Sequence, residues 1–257
     1  MIQNLRVHAK NNFLMNEGAG SKMLTALTLA NGGQTKNVRM FLPTSFSLYH
    51  SILSLAETKI GESNAAFKKS ESSYNPSAKA TAGKAAMASA VLSLDAARKA
   101  RLFNPSSVRA CTIMATSLVA LKKHREAIAP LSMAISLSAS AEYRARLLFA
   151  RAQTYHGMDD CQHAIADYEK LLSMPECKLD KSIVMVYLGG SHARSGNLDK
   201  GISLLKEAFS MNLKNRLSEH ASDTIYDIMF VLGSLHEKGR SADADSLLDQ
   251  WSKWRKL

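Results

Sequence analysis

Along the second half of the chain a small residue is followed four and seven positions later by further apolar ones. The triplet recurs as Ala127-Leu131-Ala134, Ala164-Tyr168-Leu171, Gly201-Leu205-Ala208 and Ala244-Leu248-Trp251. Positions i, i+4 and i+7 share one face of a helix, so each triplet predicts an amphipathic helix. The first three registers are 37 residues apart and the fourth lies 43 residues further on, so an insertion precedes it. A fixed period of this size is the signature of a helical solenoid, in which each unit buries its apolar face against its neighbours.

A second small residue stands twelve positions upstream in three of the units, at Ala115, Ala152 and Gly189, and the fourth offers Gly233. Two antiparallel helices approach closely where one side chain is nearly absent, so this pairing predicts a close contact between the two helices of each unit. Turns fall between them at Lys122-Lys123-His124, Gly157-Met158-Asp159-Asp160, Ser195-Gly196-Asn197 and Lys238-Gly239-Arg240. Trp251 takes a seam position and is expected to be buried, whereas Trp254, beside Lys253 and Arg255, offers a cap or a docking point.

The first half is less regular. Phe46, Tyr49, Ile52, Leu53 and Ala56 follow helical spacing, and Gly61 predicts a turn to a returning helix carrying Ala65, Ala66 and Phe67. The polar stretch 68–76 reads as a fraying helix end or a short linker. Residues 77–104 form either one long Ala-rich helix or a short pair broken near Gly83. Ile2, Leu5, Ala9 and Phe13 share a helical face with Arg6 and Lys10 beside it. Five basic residues stand against the single acid Glu17 in residues 1–43, so this segment is either a targeting sequence or a leading helix.

Composition supports an all-α chain: 46% of 257 residues are hydrophobic, with only 5 Pro and 13 Gly, and good helix formers dominate. No apolar run approaches the ~18–20 residues of a membrane span. The three cysteines, Cys111, Cys161 and Cys177, are odd in number and lack paired spacing, which suits a reducing compartment.

With period, turns and small residues in place, the chain resembles the tetratricopeptide repeats. Leu188-Gly189, Gly196, Leu205 and Ala208 fit that pattern in the third unit, and Ala152, Tyr155, Ala164, Tyr168 and Leu171 in the second. The helix Ser93–Ala100 closes on Asn104-Pro105, so the next unit starts in phase at Val108. Arg151 departs from the pattern, standing where the family prefers Leu. The resemblance implies a right-handed α-solenoid of antiparallel helix pairs. It divides the chain into a basic extension over 1–43, degenerate helical pairs over 44–105 and a repeat array over 106–254. It also implies a groove lined by the first helix of each pair: Arg109, Thr112, Thr116 and Val119, then Arg146, Phe149, Gln153 and His156, then Ile183, Val186 and Gly190. Some family members clamp a chaperone's terminal carboxylate with Lys and Asn on these faces; Thr116, Gln153 and Gly190 stand where Asn is wanted, which disfavours that role.

Charge bears on the partner. Residues 1–105 hold 13 basic and 5 acidic side chains, the remainder 20 and 17. A basic half points to a polyanionic neighbour, an acidic protein segment or RNA, unless these lysines simply solvate helices. The basic residues are not interleaved with several aromatics, as single-strand stacking would require, and the aligned polar positions do not repeat as an RNA code would.

Chemistry adds little. Asp159-Asp160-Cys161-Gln162-His163, with His156 one turn upstream, lacks the paired spacing of a zinc site, and Asp159 or Asp160 is better placed as a helix N-cap. No nucleophile elbow, phosphate loop or dinucleotide fingerprint occurs. The sequence therefore points to a non-catalytic protein-binding scaffold without metal or cofactor. The alternative is a basic helical-repeat protein associated with RNA. The expected setting is cytoplasmic, with the mitochondrial matrix as the alternative.

Overall fold

The computed structural model describes residues 41–175, 177–211 and 221–256, with 41–47, 221–224 and 254–256 described by backbone alone. The readings of the leading segment and of the Trp254 side chain lie outside the described residues. Those residues form helices α1 (Phe41–Ser72), α2 (Pro76–Phe103), α3 (Val108–Ala120), α4 (His124–Leu137) and α5 (Ala141–His156). They continue as α6 (Cys161–Ser173), α7 (Lys181–Arg194), α8 (Leu198–Ser210), α9 (Ala221–Glu237) and α10 (Ser241–Lys256). The chain divides into two compact units, Met1–Leu137 and Ser138–Leu257. Each stacks antiparallel helix pairs in the manner of an α-solenoid, and the described residues are all-α. None of these helices is long and apolar enough to cross a membrane.

In the first unit the expected turn at Gly61 does not occur. Helix α1 runs straight through it, because an isolated glycine costs a helix only about 1 kcal/mol, which packing on α2 outweighs. Gly83 likewise lies inside one continuous α2. These helices meet through small residues: Ala56, Ala90, Ala97 and Ala100 are fully buried. Ser63 Oγ donates to Ala86 O, and Ser93 Oγ to Ala56 O, both at 2.8 Å. Each buried hydroxyl thus finds a backbone acceptor across the pair, as burial requires. Asn75 caps α2, with Pro76 supplying the preset first turn, and Ser107 caps α3.

The inter-helix turns repeat as faithfully as the seams. One residue in each adopts positive φ: Lys122 (60°), Asp159 (57°), Gly196 (93°) and Gly239 (68°), spaced by the same 37, 37 and 43 residues. The following amide donates five residues back, Lys123 to Leu118 O, Asp160 to Tyr155 O, Asn197 to His192 O and Arg240 to Leu235 O, at 2.8–3.0 Å. This is the Schellman closure, which satisfies the carbonyls orphaned at a helix end.

The seams of the first three registers are buried. The fourth departs at its middle position: Leu247 is fully buried while Leu248 is 45% exposed, and Ala244 packs partly buried against the core. Twelve positions upstream of Ala244 stands Leu232, not a small residue, and Gly233 faces open space. Leu232, at the position equivalent to Gly189, packs against the core. Trp251 is partly buried against the same core.

Candidate partner-binding surface

The sequence-predicted groove residues separate into three groups. Arg109 and Arg146 are exposed, the first in the Met1–Leu137 unit and the second in the Ser138–Leu257 unit. Arg109 bonds Glu57 on α1 through Nε at 3.0 Å; Arg146 bonds Glu142 one turn back on α5 at 2.9 Å. Glu142 also meets Lys178 at 2.8 Å, and Lys178 above all holds its carboxyl below the ordinary range. Thr112 and Thr116 turn their hydroxyls onto their own helix, donating to Val108 O (2.9 Å) and Thr112 O (3.0 Å). Val119 packs against the first unit's core, and Gln153 is half-buried.

Phe149, Ile183 and Val186 are core residues rather than groove residues. The Phe149 ring lies edge-on to Tyr187 at 5.5 Å and Tyr168 at 6.0 Å, and those two tyrosines stack on each other at 5.9 Å. Val186 lies in the cluster that Ile228, Val231 and Leu235 of α9 complete. The physical reason is coverage: α9 packs onto α7 over Val186, and Tyr168 and Tyr187 enclose Phe149, so these side chains face neighbouring helices instead of a partner.

His156 is drawn into that interface as well. Its Nδ1 lies 2.8 Å from Ser191 Oγ and its Nε2 2.9 Å from Asp227 Oδ1. Asp227, buried on α9, rests on Gly190, where a Cβ would come within 2.5 Å of its Cγ. Arg194 Nε stands 3.4 Å from Asp227 Oδ1, an ion pair too poorly aligned for a hydrogen bond. Its Nη1 reaches Asp159 at 3.1 Å, and its guanidinium lies 4.9 Å from the Phe230 ring centre. A serine, a histidine and an aspartate therefore meet, but this is no nucleophilic arrangement. Ser191 is fully buried and donates its own proton to Tyr187 O at 2.8 Å. The network joins α5, α7 and α9 instead.

The Asp159-to-His163 segment resolves in the same structural direction. Asp160 caps α6 and also holds His163 Nδ1 at 2.8 Å, while Asp159 takes the left-handed turn position. Arg151, the departure from the repeat pattern, forms a bidentate pair with buried Asp167 at 2.7 and 2.8 Å. That pair replaces an apolar contact with a charged one between α5 and α6.

Sequence reasoning missed the most exposed apolar surface of the second unit. Adding the 43-residue offset to Ile183, Val186 and Gly190 gives Tyr226, Met229 and Gly233 on α9. All three are exposed, Tyr226 at 72% and Met229 at 56%, with Phe230 beside them at 39%. Positions 226, 229, 230 and 233 form one helical stripe. Extending the register past the insertion would have found them. The face that α7 buries under α9 is, on α9, open among the described residues.

No known sequence family matches this chain, and no curated protein matches it. Solved structures do resemble it. The crystal structure of MamA superposes with a TM-score of 0.51 at 14% identity, over 66% of this chain and 90% of that one. The kinesin-light-chain-type, nearly identical TPR-like repeats of Podosopora anserina give 0.52 at 15% identity, over 76% and 93%. At such identities the likeness speaks to architecture, and it agrees with the period, the Schellman turns and the paired helices. The chain has a tetratricopeptide-like helical-repeat fold.

Proposed function

We propose that this chain is a non-catalytic protein-interaction scaffold that holds a helical or extended partner segment and helps assemble a larger complex. The observation that carries this reading is the apolar stripe Tyr226, Met229 and Phe230 on α9. Contiguous exposed aromatics and Met on a rigid helix mark interaction sites, since solvation alone would favour polar residues there. Arg146 on α5 of the same unit supplements it: its exposed guanidinium fork suits the carboxylates of an acidic segment, and its present partner, Glu142, is a surface acid that a ligand can displace. The net charge of +11 favours such a partner through long-range attraction. Three free thiols, two of them buried, fit a cytoplasmic setting.

The test is capture from nuclease-treated extract, identification by cross-linking mass spectrometry, and titration of the purified partner. Wild type is compared with the double variant Arg146→Glu/Tyr226→Glu. Both residues are exposed, so folding should be unaffected while affinity falls by ~2 kcal/mol or more. Equal affinity in a folded variant removes this surface from the binding site. Loss of all partners on nuclease treatment favours the RNA-associated reading.

A further inference from the structure

The excess of positive charge stands entirely before residue 138. Residues 41–137 hold 12 basic and 5 acidic side chains, whereas 138–257 hold 16 of each. In the first unit the pairs Lys59–Glu62, Lys99–Asp95, Arg109–Glu57 and Lys123–Glu126 occupy four of those five acids. Among the described residues, Lys68, Lys69, Lys79, Lys84 and Lys122 are exposed and pair with no carboxylate. Packing brings these five together. Ser70 Oγ donates to Lys79 O at 3.0 Å, which closes the end of α1 on the start of α2. Lys122, in the turn that ends α3, sets its Nζ 5.4 Å from the centre of the Phe67 ring.

The α1–α2 hairpin continues past that contact, and every residue from Tyr74 to Thr81 is exposed. At its tip Tyr74 is 103% exposed, so a large amphipathic ring stands clear of the protein. At the helical rise, Lys68, Lys69 and Lys79 lie within about 6 Å of the loop along their helix axes, and Lys84 about 12 Å from the start of α2. Successive helical residues turn by about 100°, so Lys68 and Lys69 diverge on α1, and Lys79 and Lys84 diverge by about 140° on α2. The ammonium groups thus encircle the tip instead of lining one groove.

A collar of charge around a protruding ring fits a plane met end-on. An acidic protein segment would need a groove to hold it, and single-stranded RNA would need several stacking aromatics. Here Tyr74 alone protrudes, Phe67 being covered on one face by Lys122. All five cations are lysines, compact charges on flexible stems, where recognition of particular bases favours arginine forks. A bilayer with anionic headgroups supplies the plane and the charge: tyrosine rings sit at headgroup level, and lysines reach along them to the surface. We propose that the α1–α2 tip docks on the surface of an anionic lipid bilayer, with Tyr74 entering the headgroup region and the five lysines meeting the anionic groups around it. The contact is peripheral, since none of the described helices is long and apolar enough to cross a membrane. It uses no part of the α9 stripe, so the same chain can hold its protein partner at a membrane.

The experiment is flotation of the full chain with vesicles of phosphatidylcholine alone, or with about 30% phosphatidylserine, at low and high salt. The chain should bind the anionic vesicles only, and less as salt rises. Each lysine near an anionic surface strengthens binding about fivefold, so Lys68→Gln/Lys69→Gln/Lys79→Gln should weaken it at least about tenfold. Tyr74→Ser removes no charge and should weaken binding at low and high salt alike, because burial of the ring is not screened. All four positions are exposed, so circular dichroism should show unchanged melting temperatures. Equal binding to neutral vesicles, no binding to anionic ones, or unchanged binding by either folded variant overturns the proposal. A chain that ignores both vesicles but binds polyuridylate through these residues also overturns it, and assigns the tip to RNA. Tyr226→Glu should leave vesicle binding intact while weakening partner binding, which separates failure of this proposal from failure of the scaffold reading.

Discussion

A Cβ built on Gly201 would lie 2.7 Å from the carbonyl oxygen of Gly189, and one on Gly189 would lie 3.0 Å from the carbonyl oxygen of Gly201. The two glycines, twelve residues apart, are the point where α7 and α8 touch backbone to backbone. Gly201→Leu is expected to destabilise by ~1–3 kcal/mol or more through overpacking, whereas Lys170→Ala on an exposed face should stay within ~0.5 kcal/mol. Urea midpoints with unchanged slopes measure both. Equal losses would show that the seam is wrongly placed.

Glycines elsewhere should respond with the opposite sign. Gly61 lies inside α1 with nothing near its Cβ position, so Gly61→Ala should stabilise by ~0.5–1 kcal/mol. Gly196 holds φ at 93° in a Schellman turn, so Gly196→Ala should destabilise by ~1 kcal/mol. Thermal denaturation of the two variants checks the contrast directly.

Asp227 anchors three helices from a buried position. Asp227→Ala leaves Arg194 and His156 facing a void, and a loss of ~3 kcal/mol or more is expected. Asp249→Ala, which breaks the exposed pair with Lys253, should cost less than ~1 kcal/mol. A mild Asp227→Ala phenotype would mean that the network is not a fastening between α5, α7 and α9.

His192 supplies a pH dependence. Burial, reinforced by Lys200, pushes its imidazole below the ordinary value of about 6.5, against a weaker opposing pull from Glu169. A histidine with a lowered folded value binds its proton more readily when unfolded, so stability falls as pH drops below about 6.5. The measurement is the difference between wild type and His192→Gln across pH 7.5 to 5.5, a window of about two units around that value. The wild type should lose more stability than the variant; parallel curves would exclude His192 as the source.

The repeat was legible because it is written in small residues: Ala127, Ala164 and Gly201 are buried at close contacts that a large side chain would prevent. The turns were equally plain, although only geometry shows that Lys122 and Asp159 share the conformation of Gly196. Gly61 misled because a glycine marks a turn only when nothing outweighs its helix cost, and packing of α1 on α2 does. The surface was the least legible part. Phe149 and Val186 occupy register positions that face a partner in an open array, yet α9 and the aromatic cluster cover them here. Sequence gives the register of a side chain on its own helix, whereas exposure depends on how closely the next helix lies, and the 43-residue spacing concealed that.

The most direct test of the scaffold account is hydrogen–deuterium exchange on the full chain with and without its purified protein partner. The account predicts slowed exchange over residues 225–233 of α9 and the exposed turn of α5 around Arg146, with the buried α7 unchanged. Protection confined to α1 and α2, with α9 exchanging as in the free protein, would contradict it.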